Sequence, residues 1–472
     1  MVTLKQVTQV TVTSPWSGYD SSKGQSGRGS VFNPTYPIFV FDYQTGQIAV
    51  GYVVGSTGYT YLSQADANYL TIPAIYFTPF GYNYALGGGG VCGAPDGCMG
   101  NGGSVCGPWW IIVNLSNNSA NTYCQGFIPQ NTVTAHLQGL GIDFENGYLL
   151  FSNSGHTNSD WVVSAVPISE ISSVIQNQVP GGLKAVWLTV PSSVSGGNIY
   201  TIPFILFQGN YVQPITTSSG LYINVIPLST LYANMVSGEP SSSSSPISLG
   251  NIYTISTSLS SPGQPIGVTF FTGSANYIGI AVPSGSNMYT FVISSSFTVS
   301  GSNTFPIQGS YLSFVHSWWS GLVLLVSYSG STIYLNVYGA GYEYTSVTGS
   351  FGFTSAEGYL VVASQALSSS DVTWTVYQIL LDHTYVFQNV TISVSGQTVT
   401  ATGYLYDETT GTYVAGVTVY LVQVNSLEDN YSGDVEAVAS GSTNNNGQFS
   451  ITYTAPSGTN PANIYWGVYY PG

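Results

Sequence analysis

Positive charge is what this sequence most lacks: its 472 residues hold four Lys or Arg against 19 Asp or Glu, a formal net charge of −15. No Lys or Arg follows Lys184. Nucleic-acid binding needs a basic footprint on the phosphate backbone, so no nucleic-acid partner is expected. Anionic membrane surfaces are excluded on the same ground. Long apolar runs are also missing. The greasiest stretch, "GLVLLVSY" at 321–328, is strand length, well short of the roughly 20 residues of a membrane-spanning helix. No membrane insertion is expected.

The start of the chain, "MVTLKQVTQVTVTSPW", lacks the basic n-region and apolar core of a signal peptide. Val2, Leu4, Val10 and Val12 share one parity while Val7 breaks it, which predicts a strand. An exported type of composition without an export signal leaves two readings. Either a leader has been removed, or the protein is assembled inside a cell and works outside it, as a virion protein does.

Cysteine is scarce and concentrated. Cys92, Cys98 and Cys106 lie in "VCGAPDGCMGNGGSVCG", and Cys124 follows. No pair has the two-to-four-residue gap of a zinc knuckle, and no Cys-x-x-Cys redox motif occurs. No Lys or Arg stands between Arg28 and Lys184 to stabilise a thiolate. Two disulfides are the expectation, with a metal site or free thiols as alternatives. A bridge closing a loop of about fifteen residues contributes about 3 kcal/mol. Three connectivities are open. Disulfides imply an oxidising compartment or a hyperthermophile. No cofactor and no metal are expected.

Charged residues are only 5% of the chain, against about 25% in ordinary soluble domains. Hydrophobic content is nevertheless 43%, enough to bury real cores, and 37 tyrosines with Ser, Thr, Asn and Gln must supply the polar surface. Acid unfolding comes mostly from protonating paired carboxylates. A fold with so few cations has few pairs to lose, which points to hot acid or another exposed extracellular setting. A neutral-habitat surface protein is the alternative.

Short alternating Val/Ile/Tyr/Thr runs broken by Gly, Asn, Ser and Pro recur from end to end. The fold class expected is all-β, with several β-sandwich domains, jelly-roll and immunoglobulin-like, in series. One or two short helices are expected in the N-terminal part, in "PISEISSVIQNQV" (167–179) and more weakly in "SQADANYL" (63–70). The expected division is an N-terminal strand and flexible tether over 1–30, a β-rich domain with the cysteine loop over 31–236, and a Ser/Pro linker over 237–247. A jelly-roll-like sandwich over 248–385 and an immunoglobulin-like domain over 386–472 complete it.

The last unit carries a resemblance. "AGVTVYL" (415–421) and "TNNNGQFSITYTAP" (443–456) resemble the immunoglobulin-like repeats of bacterial and archaeal surface proteins and the related carboxypeptidase-regulatory-like domains. The resemblance implies a strand opening a sandwich, a turn at "NNNG" and a paired strand, in a spacer or presenting module. In composition the whole chain resembles virion and cell-surface structural proteins of thermoacidophilic archaea.

Chemistry is sparse. "GIDFENG" puts Asp143 and Glu145 on one face of a strand, as an acid/base pair would need, or else in a hairpin turn as solvated acids. "SGHTNSDW" offers Ser154, His156 and Asp160, without a Gly-x-Ser-x-Gly elbow. Trp109, Trp110, Trp318, Trp319, Tyr342 and Tyr344 are candidates to stack on sugar rings, or to pack between sheets. Sequons at Asn114, Asn117, Asn389 and Asn430 permit glycosylation.

The sequence therefore predicts a non-enzymatic structural protein at a virion surface or otherwise extracellular. The favoured form is a turret, vertex spike or tail fibre of an archaeal virus, serving host attachment or capsid architecture. Its partners would be further copies, other virion or surface proteins, and host surface glycans. A cellular filament subunit, S-layer component or adhesin is the first alternative, and a secreted acid hydrolase the second.

Overall fold

The computed structural model describes residues 1–13, 38–42, 47–51, 72–73, 84–92, 105–114, 119–124, 128–129, 137–154 and 157–472, apart from 158, 171–180, 195, 200–203, 239–243, 319–320, 355–357, 365–370 and 429–431. Strand dominates, as the alternating runs predict, and the all-β expectation holds. Among the described residues, helix is limited to single turns at Ile168–Glu170 and Pro461–Asn463 and to Leu228–Ala233. Leu228–Ala233 follows Pro227 and buries Leu228 and Leu231. The helical readings at 63–70 and 171–179 lie outside the described residues.

The strands pair mostly with their neighbours in sequence, as antiparallel meanders. The paired strands Ile38–Asp42 and Gln47–Gly51 come first, and the first larger sheet runs from Ile72–Pro73 through Tyr84–Cys92 and Val105–Asn114 to Ser119–Cys124. The second sheet takes Leu137–Asp143, Tyr148–Ser154, Asp160–Pro167 and Lys184–Thr189, and the third Ile205–Phe207, Asn210–Thr216, Leu221–Pro227 and Asn251–Ser256. The fourth spans Ile266–Phe271 to Val299–Pro306, and the fifth Tyr311–Trp318 to Tyr342–Thr348. The sixth consists of Phe351–Thr354, Tyr359–Ala363 and Asp371–Leu380, completed by the chain's first strand, Thr3–Thr13.

Sheets two to six stack face to face, and this explains the sequence texture. In "GLVLLVSY", Leu324 and Val326 pack on the sixth sheet with Leu360, Val362 and Ile379, while Val323 and Leu325 pack on the fourth with Val268 and Ala281. The longest apolar run is thus a strand buried on both faces. "FILF" behaves alike: Phe204 and Leu206 face the second sheet, and Ile205 and Phe207 the fourth. From the second sheet onward, the first strand of each sheet touches the first strand of the next. Consecutive four-stranded sheets stacked about their first strands are the radial arrangement of a β-propeller.

The described strands between 248 and 385 therefore run as meanders of this stack, without jelly-roll pairing among them. The physical reason is that alternation reports which faces are buried, whereas strand order is set by contacts far apart in sequence. The serine run expected as a linker connects two paired strands of the third sheet, Leu221–Pro227 and Asn251–Ser256. Thr3–Thr13 pairs with Asp371–Leu380 of its own chain, and Val2 is buried in the core between the fifth and sixth sheets.

After Leu380 the chain builds a last unit of two sheets. One holds Tyr385–Ser395, Thr398–Asp407, Thr412–Tyr413 and Gln448–Thr454, and the other Thr418–Val424, Val435–Ser442 and Trp466–Tyr469. Val399, Ala401, Leu405, Phe449 and Ile451 of one meet Val419 and Leu421 of the other. Thr398–Asp407 alternates half-buried and buried residues without a break, the period of a strand with one face on a core.

This unit is joined to the body. Ser426–Glu428 adds to the second sheet beside Leu137–Asp143. Glu428 is buried, accepting the Leu206 N–H at 2.8 Å through Oε1 and the Ser432 hydroxyl at 3.1 Å through Oε2. Around it, Ile142, Leu149, Phe151 and Phe271 share a core with Val422, Leu427 and Tyr469.

Candidate functional site

Where the last unit meets the body, a cleft of about 760 Å³ opens between the turns of three successive sheets and Asn425 and Asp434–Ala437. The second sheet contributes Glu145, from the turn after Asp143. The third contributes Gln208 and Gly209, which both take positive φ (48° and 70°) as a two-residue hairpin requires. The fourth contributes Phe271 and residues 273–276. Gly273, at φ +89°, packs where a Cβ would lie 2.8 Å from the Tyr420 hydroxyl.

Asp434 is the most constrained group here. It is 4% exposed. Its Oδ2 accepts the Gln208 N–H at 3.2 Å and the Asn425 amide at 3.5 Å, while Oδ1 has no hydrogen-bond partner. Burial pushes its carboxyl up to about 6; the Gln208 and Asn425 donors oppose this, and the charges of Glu145 and Glu436 add to it. Glu145 and Glu436 are exposed. Among the described residues, no three His, Cys, Asp or Glu side chains are grouped to hold a metal ion.

The carboxylates singled out from sequence separate. Asp143 is buried, not solvated: it accepts the Asn146 N–H at 3.0 Å, the Asn146 amide at 2.8 Å and the Tyr232 hydroxyl at 2.6 Å. It therefore ties the turn. Beside it, Lys184 Nζ lies 4.1 Å from the Tyr148 ring centroid and 4.6 Å from that of Tyr232. Only Glu145 reaches the cleft. Asp160 accepts from Trp187 Nε1 at 3.1 Å and from the Thr157 hydroxyl at 2.6 Å. It pins two strands, which accounts for its place in the sequence without a triad. Asp434 and Glu436 carry no sequence signal, since "SGDVEAV" reads as a solvated loop and strand.

Of the aromatics, Tyr342 and Tyr344 belong to a stacked array on the fifth sheet. Ring centroids are 5.2 Å apart for Tyr338 and Tyr342, and 6.1 Å for Tyr342 and Tyr344. Tyr338 is buried, and Tyr344 is half exposed. The Tyr342 hydroxyl donates to Asn336 Oδ1 at 3.0 Å. Trp109 and Trp110 lie in the strand Val105–Asn114, and Trp318 ends Tyr311–Trp318. Trp319 lies outside the described residues.

Cys92 stands directly opposite Cys106 in the ladder of the first sheet, and Cys124 opposite Trp109. Cys98 lies outside the described residues, as do His156, Asn117 and Asn430. Asn114 ends a strand. Asn389 is exposed, at φ +51°, in a bulge of Tyr385–Ser395.

No family model matches the chain, and no curated protein does. Among solved structures, the Dos1 propeller is similar at a TM-score of 0.39 and 10% identity, over 79% of this chain and 94% of that one. The dihydro-heme d1 dehydrogenase NirN, in complex with DHE, is similar at a TM-score of 0.33 and 10% identity, over 87% of this chain and 78% of that one. At these values neither likeness bears on function.

Proposed function

We propose that this chain is a structural protein displayed outside a cell, as a turret, vertex spike or tail fibre of an archaeal virus. The observation that supports this is the way cohesion is achieved. Stacked sheets, buried hydroxyl and amide hydrogen bonds and a docked last unit hold the chain, in a sequence with four Lys or Arg. Such a body has little to lose in acid. The two-sheet last unit is the presenting module, and its immunoglobulin-like character belongs to this proposal. The cysteines form two disulfides, and the Tyr338–Tyr342–Tyr344 array offers a surface for host glycans. A cellular filament, S-layer component or adhesin uses the same features.

Mass spectrometry of purified virions and of purified cell envelopes is the test. Enrichment in virions is the expected result, enrichment in envelopes selects the cellular form, and confinement to the cytosol ends both. One observation favours a hydrolase as second reading: Asp434, held near 6 beside two further carboxylates, has the protonation of a general acid. Turnover of a polysaccharide or protein at pH 3–5 that Asp434→Asn abolishes would establish it.

A further inference from the structure

We propose that a disulfide joins Cys92 to Cys106 across the first sheet, an assignment that rests on the two-disulfide reading above. Cys92 stands opposite Cys106 in the ladder between Tyr84–Cys92 and Val105–Asn114. Directly opposed Cα atoms of antiparallel strands lie about 4.5–5.5 Å apart, and a disulfide needs about 4.4–6.8 Å. On the other side of Val105–Asn114, Ile128 stands opposite Cys106, and Cys124 stands opposite Trp109, three residues further along. At about 3.4 Å per residue and one strand spacing, Cys106 and Cys124 are about 11 Å apart. The odd offset also puts them on opposite faces of the sheet. Cys92 and Cys124 lie on strands to either side of Val105–Asn114, about 14 Å apart by the same measure. Four cysteines pair in three ways. One way requires Cys106–Cys124 and another Cys92–Cys124, and the register excludes both. The way that remains contains Cys92–Cys106.

The strand itself gives such a bond a task. Tyr84–Cys92 reads "YALGGGGVC", and Gly87, Gly88, Gly89 and Gly90 stand opposite Ile111, Trp110, Trp109 and Pro108. Glycine brings no side chain to decide which residue meets which, so a glycine-rich strand slips readily in register. A covalent link at the end of the ladder holds a register that four successive glycines leave weakly specified. It also closes the chain between the two strands, which removes entropy from the unfolded state. Forming it takes an oxidant, here a disulfide donor such as an oxidised low-molecular-weight thiol. The donor's S–S bond breaks as the Cys92–Cys106 bond forms, and the donor leaves as two thiols carrying the two electrons and two protons.

The test maps the bond in the full chain. Free thiols are alkylated in denatured, unreduced protein, and cleavage at Asp96, Met99 and Trp110 then puts each cysteine on its own peptide. A linked pair of peptides holding Cys92 and Cys106, released by reduction, is the expected result. In Cys92→Ser the thiol set free should be Cys106, and in Cys106→Ser it should be Cys92. In Cys92→Ser/Cys106→Ser, amide-exchange protection of Tyr84–Cys92 should be lost while the fifth sheet keeps its own, which separates a loosened strand from failure to fold. Unchanged protection of Tyr84–Cys92 overturns the register role. A link from Cys92 or Cys106 to Cys98 or Cys124 overturns the assignment and leaves the two-disulfide reading standing. Alkylation of all four cysteines in the parent overturns both. A Cys92–Cys106 link with Cys98 and Cys124 alkylated upholds the assignment and overturns the reading of two bridges.

Discussion

Asp434 and Asp407 are two buried carboxylates whose surroundings move them in opposite directions. For Asp434, burial dominates and raises the group to about 6 from 3.8. The native state therefore holds its proton more tightly than the unfolded chain. The resulting stability is fully present below about pH 4 and is lost as pH rises through 6. Two units correspond to about 3 kcal/mol. Asp434→Asn should flatten this window, melting at nearly one temperature between pH 4 and 7 and above the parent at pH 7. For Asp407, burial again pushes upward. Hydrogen bonds from His383, the Thr384 N–H, Thr410 and the Thr409 N–H outweigh it and hold the group at about 2. Its contribution is present above about pH 4 and is lost only as pH falls through 2. Asp407→Asn should therefore lower the melting point at pH 5, and the difference from the parent should shrink toward pH 2.

At the scale of elements, two short joins hold distant parts of the chain. Thr3–Thr13 is the outer strand of the sixth sheet, with Val2 in the core and Leu4 packed against it. Removing residues 1–13 would expose the edge of Asp371–Leu380 and open that core. The truncated chain should melt lower and be cut first near 371–380 in limited proteolysis; an unchanged melt would show the strand to be dispensable. The second join is Ser426–Glu428, whose approach leaves no room beside Gly433. A Cβ there would lie 2.2 Å from the Ser426 carbonyl. Gly433→Ala should destabilise by about 1–3 kcal/mol, as overpacking does. Strand positions such as 398–407 were legible from alternation, and the Asp143 turn from "DFENG". Neither join was legible. "SLE" is three residues with a carboxylate, and only the Leu206 N–H and the Ser432 hydroxyl make it a buried strand.

For the molecule as a whole, the scarcity of ion pairs and the pair of opposed aspartates lead to one expectation. Among the described residues the ion pairs are few: His383–Asp407 at 2.7 Å, and the Met1 amino group with Glu343 at 3.1 Å and with Asp382. The melting temperature should therefore hold or rise from pH 7 to 4 and change little by pH 3. A fall of more than about 20 °C over that range would show that paired carboxylates carry the fold. Thiol labelling of denatured, unreduced protein tests the cysteines. No labelling is expected, and labelling of all four would remove the case for an oxidising habitat. The register places Cys92 opposite Cys106, and directly opposed Cα atoms lie about 4.5–5.5 Å apart, within disulfide range.

Composition and local pattern alone determined the all-β class, because side-chain period is a property of neighbouring residues. Tertiary structure decided that the strands stack as successive meanders, that Leu324 and Leu325 serve opposite neighbours, and that Leu221–Pro227 pairs with Asn251–Ser256 beyond the serine run. It also brought Glu145, Gln208, Asn276 and Asp434 to one cleft. The reason is that burial on both faces and long-range register depend on which distant strand supplies the opposing surface, and alternation along a chain is the same whichever partner that is.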